Sequence, residues 1–504
     1  MQPQTIPQQD WTARWALYSP EKVAVREAET GRTLTYGQLD RLSDALCTHL
    51  QQQYGVQTGD RIALLAENNL EYIALFAAMQ RMGFVLVPLN YRLASAELDY
   101  LLKDAAPKLV ICEDKFEATL KAGEVLAKVP HYLPWATLES FCEAQKDEAQ
   151  PPFPLQAVGE DHPAFILYTS GTTGFPKGAI YSHKMLFWNS INTAMSLIVN
   201  TESRTVNVMP PFHTGGWNVL TTPFLHHGAY TVLMRKFDPE RVLQLLQEER
   251  ATLFMGVPTI LKMMADAPGF EAAQFPDLYY LIVGGEPMPI PLIEQWDAKG
   301  VPVRQGYGMT EVGPNLFSLH QADAIRKKGS IGRPNFYVQT RIVDAQGQDV
   351  APGTPGELWL KGPMVTPGYW QNEAATQKAV TDGWFHTGDM VRADEGHYFF
   401  VVDRIKNMYI SGGENVYPAE VERVLQAHPS VAEAAVIGVP DEKWGEAGRA
   451  FVVLHATGKA GEAEILRAYC KAHLAKFKVP RDIVFLDELP KNDTGKINRA
   501  ALKG

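Results

Sequence analysis

Glu71-Tyr-Ile-Ala-Leu-Phe-Ala-Ala-Met-Gln-Arg-Met-Gly-Phe-Val-Leu-Val-Pro88 changes periodicity within eighteen residues. Ile73, Leu75, Phe76 and Met79 fall on a helical pattern, and the run 84–87 is short, apolar and closed by Pro88, as in a strand buried on both faces. Gln80, Arg81 and the closing proline exclude a membrane span. The same apolar runs recur at 109–111, 164–167 and 280–283, with helical stretches such as 239–249 between them. Strands alternating with helices predict an α/β chain with substantially parallel sheets. From about residue 335 the elements become short alternating strands (339–343, 357–361, 398–402) separated by Gly and Pro turns. This predicts a β-rich subdomain over about 335–403. A helix over 418–428, strands over 434–439 and 450–455, and a helix near 462–473 then predict a small α+β domain. The boundary falls near Asp403 to Lys406, giving a large N-terminal region 1–403 and a C-terminal domain 404–504.

At about 150 residues per domain, a chain of 504 residues prefigures two to four folding units. Its 46% hydrophobic and 21% charged composition is that of an ordinary soluble protein. Against 57 acidic residues stand 47 Lys and Arg, giving a formal net charge of −10, which argues against a nucleic acid as partner. Cys47, Cys112, Cys142 and Cys470 are too scattered for a CxxC pair or a zinc knuckle and read as reduced thiols. The opening MQPQTIPQQDW has neither a basic nor an apolar signal region, and the ending Ala501-Leu-Lys-Gly504 is no peroxisomal tail. The expected location is the cytoplasm.

The chemistry concentrates in Tyr168-Thr-Ser-Gly-Thr-Thr-Gly-Phe-Pro-Lys-Gly178, directly after the strand 165–167. Gly171, Gly174 and Gly178 let a backbone approach a ligand; Ser170, Thr172 and Thr173 add hydroxyls and Lys177 a point charge. Phosphate oxygens call for that mixture. The spacing is not that of a Walker loop. A flexible linker would explain the small residues but not a lysine and proline placed after a buried strand.

Residues 169–178 resemble the signature loop of the adenylate-forming superfamily, which includes acyl- and aryl-CoA ligases, peptide-synthetase adenylation domains and firefly-type luciferases. Six further segments continue the resemblance in the family's order: Pro211-Phe-His-Thr-Gly-Gly-Trp217, Gly306-Tyr-Gly-Met-Thr-Glu311, His386-Thr-Gly-Asp389, Asp403-Arg-Ile-Lys406, Ile410-Ser-Gly-Gly-Glu-Asn415 and Pro490-Lys-Asn-Asp-Thr-Gly-Lys496. The resemblance implies two half-reactions. A carboxylate attacks the α-phosphate of ATP and releases pyrophosphate; a thiol then displaces AMP. The first brings an anion against a polyanion, so positive charge must meet the developing negative charge.

By the same resemblance, Lys496 is the charge bridging carboxylate and α-phosphate, against the alternative of an ordinary tail lysine. Glu311 resembles the Mg²⁺ carboxylate, with Thr169 assisting. Thr169, Ser170, Gly171, Thr172, Thr173, Gly174 and Lys177 would hold phosphates. Gly285, Glu286 and Pro287 resemble the backbone edge facing adenine, and Tyr307 an aromatic face for it, a core tyrosine being the competing reading. Gly308 and Thr310 belong to the same nucleotide-binding segment, with the Thr310 hydroxyl directed to the α-phosphate. Asp389 resembles the acceptor for the ribose diol and Arg404 its ribose and phosphate contact. Lys406 matches the hinge on which the small domain turns between half-reactions. Ser411, Gly412 and Gly413 match the loop that then covers the thiol arm of coenzyme A.

His213 resembles the gate beside the acid's carboxylate. Thr214 stands where amino-acid-activating relatives usually carry aspartate, which argues against an amino acid substrate. Trp217 stands where some fatty acyl-CoA ligases gate the acyl tunnel, core packing being an equal competitor. With no cation over residues 210–225, the reading is a medium- or long-chain fatty acid. An aryl or cinnamic acid is the alternative, and a silent nucleotide-binding scaffold the remote one. The expected enzyme is thus an AMP-forming acid–thiol ligase using ATP, Mg²⁺ and coenzyme A. No nucleic acid and no integral membrane segment are expected, and a homodimer is left open.

Overall fold

The structure, a computed structural model, describes residues 9–503 except 155, 157, 170–175, 412–413, 443, 456–461 and 493–495. Among the described residues, five sheets divide the molecule. The largest runs in the order His131–Pro134, Leu109–Cys112, Arg61–Leu65, Val85–Pro88, Pro163–Thr169, Lys177–Ser182. All its pairings are parallel except the last, where the chain turns straight back as an antiparallel hairpin.

The helix Leu70–Met82, predicted from the opening stretch, is buried along its whole length. That burial encloses Arg81, whose guanidinium is neutralised by Asp10 at 2.9 Å, Asp40 at 2.5 Å and Asp44 at 2.7 Å. An unpaired cation there would cost several kcal/mol, of order 3–5. Three carboxylates remove that penalty and pin the N-terminal segment to the core.

A second sheet joins Thr33–Thr35, Val23–Glu27, Tyr230–Leu233 and Arg204–Asn207. A third begins with the parallel strands Leu253–Gly256, Tyr280–Val283 and Val303–Met309, and continues antiparallel through Gly313–Ser318 and Arg333–Pro334. The switch matters for function, because the hairpin joining Met309 to Gly313 carries Glu311. The predicted β-rich part is an antiparallel sheet of Gln339–Val343, Gly356–Lys361 and Trp384–Ala393, with Val380–Thr381 and Phe399–Arg404 both pairing with the last. A single 3-10 turn, Ile405–Asn407, leads on to the fifth sheet, in which Gly445–Leu454 pairs with Tyr409–Ser411, Val431–Asp441 and Asp482–Phe485. The helices Pro418–Gln426 and Glu462–His473 accompany it. No helix among the described residues is long and apolar enough to cross a membrane.

Candidate active site

The hairpin Pro163–Thr169 and Lys177–Ser182 sets Thr169 opposite Lys177. The loop between them, with Ser170, Gly171, Thr172, Thr173 and Gly174, lies outside the described residues. The hairpin aims Thr169 at Glu311: its hydroxyl is 3.4 Å from Oε1, and the Tyr369 hydroxyl donates to the same oxygen at 3.0 Å. The Glu311 backbone carbonyl is fixed by the Thr366 N–H at 2.7 Å. Lys177 Nζ stands 5.2 Å from the centre of the Tyr369 ring, a cation over an aromatic face. Burial and the adjacent Glu311 carboxylate raise the Tyr369 pKa, so the phenol stays a donor. One carboxylate, one hydroxyl and a nearby lysine form a weak site for a bare cation. They suit Mg²⁺ arriving on substrate phosphates, since that ion keeps waters and few protein ligands. No cluster of three or more His, Cys, Asp or Glu able to hold a metal occurs among the described residues.

On the neighbouring strand, Tyr307 donates to Asp389 Oδ2 at 2.6 Å, and Arg404 Nε is 2.9 Å from Oδ1. Strand register makes this possible, because Asp389 and Arg404 are direct partners across an antiparallel pair. The Asp389 carboxyl is almost sealed, at 3% exposure, and burial raises its pKa. Arg404, the Tyr307 hydrogen bond and Lys496 oppose that rise. Each oxygen keeps lone-pair capacity for further donors. The Tyr307 ring packs edge-on to Phe317 at 5.6 Å, so it is part core residue and part site residue.

Gly308 is demanded sterically: a Cβ there would lie 2.3 Å from the Pro314 carbonyl oxygen. Thr310 follows at the turn beside Glu311. The turn bearing Gly285, Glu286 and Pro287 is held by Gln305, which donates to the Glu286 carbonyl at 3.2 Å and accepts from the Met288 N–H at 3.1 Å.

Lys496 enters from the C-terminal domain. Its Cε lies 3.9 Å from where a Cβ on Gly285 would stand, and Gly285 itself adopts φ +85°. The lysine projects from a hairpin closed by Lys491 and Ile497, with the Lys496 N–H donating to Asn492 Oδ1 at 2.9 Å. Arg499 anchors the hairpin to buried Glu422 through hydrogen bonds of 2.7 and 2.8 Å. The Lys496 side chain is open to solvent along the cleft, yet protein surrounds it on most sides. That enclosure lowers its pKa, as does Arg404; Glu286 and Asp389 act in the opposite direction.

His213 caps the helix Thr214–Asn218. Its buried Nε2 has no partner among the described residues. Burial, then Lys496 and Arg92, push its pKa down to about 4, so at neutral pH the ring is uncharged and one polar edge awaits a ligand.

The chain matches the AMP-binding enzyme family over residues 12–370 and that family's C-terminal domain over residues 420–496. It belongs to the AMP-binding enzymes. This is the adenylate-forming superfamily that the motifs pointed to. The chain is 39% identical over 496 residues to a feruloyl-CoA synthase of an Amycolatopsis species, covering 98% of each chain. To the long-chain-fatty-acid–CoA ligase FadD13 of Mycobacterium tuberculosis it is 36% identical, covering 97% of this chain and 96% of that one. Among solved structures, the Bacillus subtilis o-succinylbenzoate coenzyme A synthetase in complex with ATP and magnesium superposes with a TM-score of 0.85 at 31% identity, covering 98% of this chain and 99% of that one.

Within this AMP-binding enzyme, the expected residues do not all gather. Lys496, His213, Glu286, Asp389 and Arg404 converge on one cleft, and Thr169, Lys177 and Glu311 form its second cluster. Lys406, in the interdomain turn, is near enough to Arg404, Asp389 and Lys496 for their charges to act on it. Ser411 is buried and paired with Glu414 and Gly445, and Gly412 and Gly413 lie outside the described residues.

Of the two readings offered for Trp217, acyl gate or core residue, its surroundings here are those of a core residue. Its ring is 2% exposed and packs on Tyr72, Phe76 and Phe165 at 5.8, 5.6 and 5.2 Å, and its Nε1 donates to the Pro211 carbonyl at 2.6 Å. The cavity beside it, partly lined by Asn68, Asn69, Asn207 and Thr221, holds about 10 Å³. That is roughly the room one water needs. Aromatic packing has taken Trp217 into the core.

One site residue escaped the sequence reading. Tyr369 gave only an aromatic after a Pro-Gly pair as its signal.

Proposed function

We propose that this enzyme is an AMP-forming acid–CoA ligase that joins an aryl carboxylic acid to coenzyme A through an acyl-adenylate. The observation that carries the reaction type is the delivery of Lys496 from the C-terminal hairpin into the cleft between His213, Glu286 and Asp389. In the first half-reaction Lys496 offsets the charge that builds as the carboxylate oxygen attacks the α-phosphate. Neutral His213 can meet that carboxylate without adding to its charge, and Tyr307, Asp389 and Arg404 orient the ribose. Glu311 with Thr169 would hold Mg²⁺, which would supply charge neutralisation to the pyrophosphate. In the second, the C-terminal domain turns at Lys406 and coenzyme A displaces AMP. Four buried, unpaired cysteines support a reducing compartment such as the cytoplasm.

The aryl reading takes its support from the packing of Trp217 against Tyr72, Phe76 and Phe165. The 39% identity to a feruloyl-CoA synthase agrees with it. The fatty acid reading drew on the apolar, cation-free stretch around Trp217, which here serves the core; the 36% identity to FadD13 continues to support it.

The test is pyrophosphate release with ATP, Mg²⁺ and coenzyme A across straight-chain acids from C2 to C18, benzoic acid and cinnamic acids. Each buried methylene contributes about 0.8 kcal/mol, so a tunnel would raise kcat/KM roughly a hundredfold over four carbons. We expect a flat aliphatic series and a sharp preference for aryl acids. A steep aliphatic rise would replace the aryl acid with a fatty acid and leave the ligase standing.

A further inference from the structure

The strand Trp384–Ala393 carries Asp389 through a bulge. Against Gly356–Lys361, Glu357 pairs with Met390 and Trp359 with His386, so Thr387, Gly388 and Asp389 stand opposite Leu358 alone. Bulges of this kind re-aim a side chain beside a site. Burial still alternates along the strand, which puts Asp389 on the side of the core residues Phe385 and Val391. A carboxylate on that face depends on its partners, Tyr307 and Arg404, and so on where the bulge sets its backbone.

Three hydrogen bonds build the bulge. The Thr387 hydroxyl donates to the Leu358 carbonyl at 2.7 Å and accepts the Asp389 N–H at 3.1 Å. Gly388, at φ +68° and outside the paired register of both neighbouring strands, gives its N–H to Glu357 Oε1 at 3.0 Å. The other Glu357 oxygen accepts from Trp359 Nε1 at 3.0 Å. Trp359 is itself held, its ring stacked on His386 at 4.1 Å and 8°, with the Arg341 guanidinium 5.5 Å from the ring centre. Both oxygens of Glu357 thus meet N–H donors, a demand that a carboxylate satisfies in full and an amide only in half. Glu357 reaches Asp389 only through the backbone between them.

We propose that Glu357 is a positioning residue for the nucleotide site: by holding the Gly388 N–H it fixes the bulge that directs Asp389 to the ribose hydroxyls. This rests on the reading above in which Asp389 orients the ribose. Hydrogen bonds weaken steeply when misaligned, so a small turn of the bulge costs ribose recognition while contacts to base and phosphate stay as they are.

The experiment measures dissociation constants of AMP, 2′-deoxy-AMP and 3′-deoxy-AMP by titration calorimetry, with the native enzyme, Glu357→Leu and Glu357→Gln. The native enzyme should prefer AMP to at least one deoxy analogue by about tenfold or more, as for one hydrogen bond to a charged group. Glu357→Leu, which fills the space without an acceptor, should cut that preference to about threefold or less by weakening AMP more than the analogue. Glu357→Gln keeps an acceptor for the Gly388 N–H and should restore most of it. Glu357→Ser, too short to reach that N–H, takes the place of the leucine variant if the latter fails to fold. A leucine or serine variant that weakens all three nucleotides in proportion, with the native preference intact, would overturn the role of Glu357 and leave the ribose reading standing. So would a glutamine variant as indiscriminate as the leucine one, because the acceptor would then not be what matters. Equal binding of AMP and both analogues by the native enzyme would overturn the ribose reading of Asp389, and this proposal with it.

Discussion

Asp403 and Ala419 are joined across the domain junction: the Asp403 Oδ2 atom, in the last strand of the β-rich sheet, accepts the Ala419 N–H at 2.7 Å. The other oxygen accepts from the Arg404 N–H at 2.6 Å and from Asn407 Nδ2 at 3.1 Å. One buried carboxylate therefore ties the interdomain turn to the start of the helix Pro418–Gln426. Hydrogen bonds to a charged group are worth about 1.5–3 kcal/mol. Asp403→Ala should lower stability by about that amount, read as a reduced denaturant midpoint. An unchanged midpoint would show that water replaces the tie at no cost.

Lys496→Ala should slow adenylation by roughly 10²–10³-fold, the loss typical of a missing transition-state donor. Thioester formation from synthetic acyl-adenylate should be largely spared. The two are separated by pyrophosphate exchange and by direct assay of the second step. Equal damage to both would sink the assignment of Lys496 to the first half-reaction alone.

Lys406→Pro should show the reverse pattern, because proline fixes a dihedral in the turn proposed as the pivot. Adenylation should persist and thioester formation should fail. If adenylation alone were lost, the pivot would lie elsewhere.

Tyr369→Phe keeps the ring under Lys177 and removes the hydrogen bond to Glu311. One such bond is worth about 1 kcal/mol, so KM for Mg-ATP should rise about fivefold with kcat little changed. A fall in kcat with KM intact would instead place Tyr369 among the groups that act in the transition state.

His183 is 5% exposed, neither of its ring nitrogens has a partner among the described residues, and burial lowers its pKa to about 3, with His162 adding to the effect. The unfolded chain, with an ordinary histidine, binds the proton first as pH falls below about 6.5. Stability is therefore full above that pH and is lost on acidification at about 1.4 kcal/mol per pH unit from this residue. Urea midpoints measured from pH 7 to 4 should fall less steeply in His183→Leu than in the native protein. Parallel profiles would show that His183 is not the group titrating.

Much of the fold could be read from local pattern, because a helix running into a doubly buried strand leaves a run such as 71–88 that few other arrangements explain. The candidate site was proposed where one motif marks one residue: Glu311 lies in the turn between two strands, Asp389 on a strand opposite Arg404, and Lys496 beside the Lys491–Ile497 bridge. What local pattern could not reveal depends on distant partners. Trp217 at helical spacing reads equally as pocket wall or core, and Phe76 and Phe165, from remote segments, decide it. Tyr369 reaches the Glu311 cluster because its segment runs beside Ala179.

The footing of Lys496 has a consequence for the direction of flux. Arg499 and Glu422 fasten its hairpin wholly within the C-terminal domain, so the charge leaves the cleft whenever that domain lifts away. Pyrophosphate attacking the adenylate would pass through the same transition state as its release and needs the same charge. On the proposed domain turn, a departure that admits the thiol would disarm the reverse step in the same stroke, with one lysine as the pawl of the ratchet.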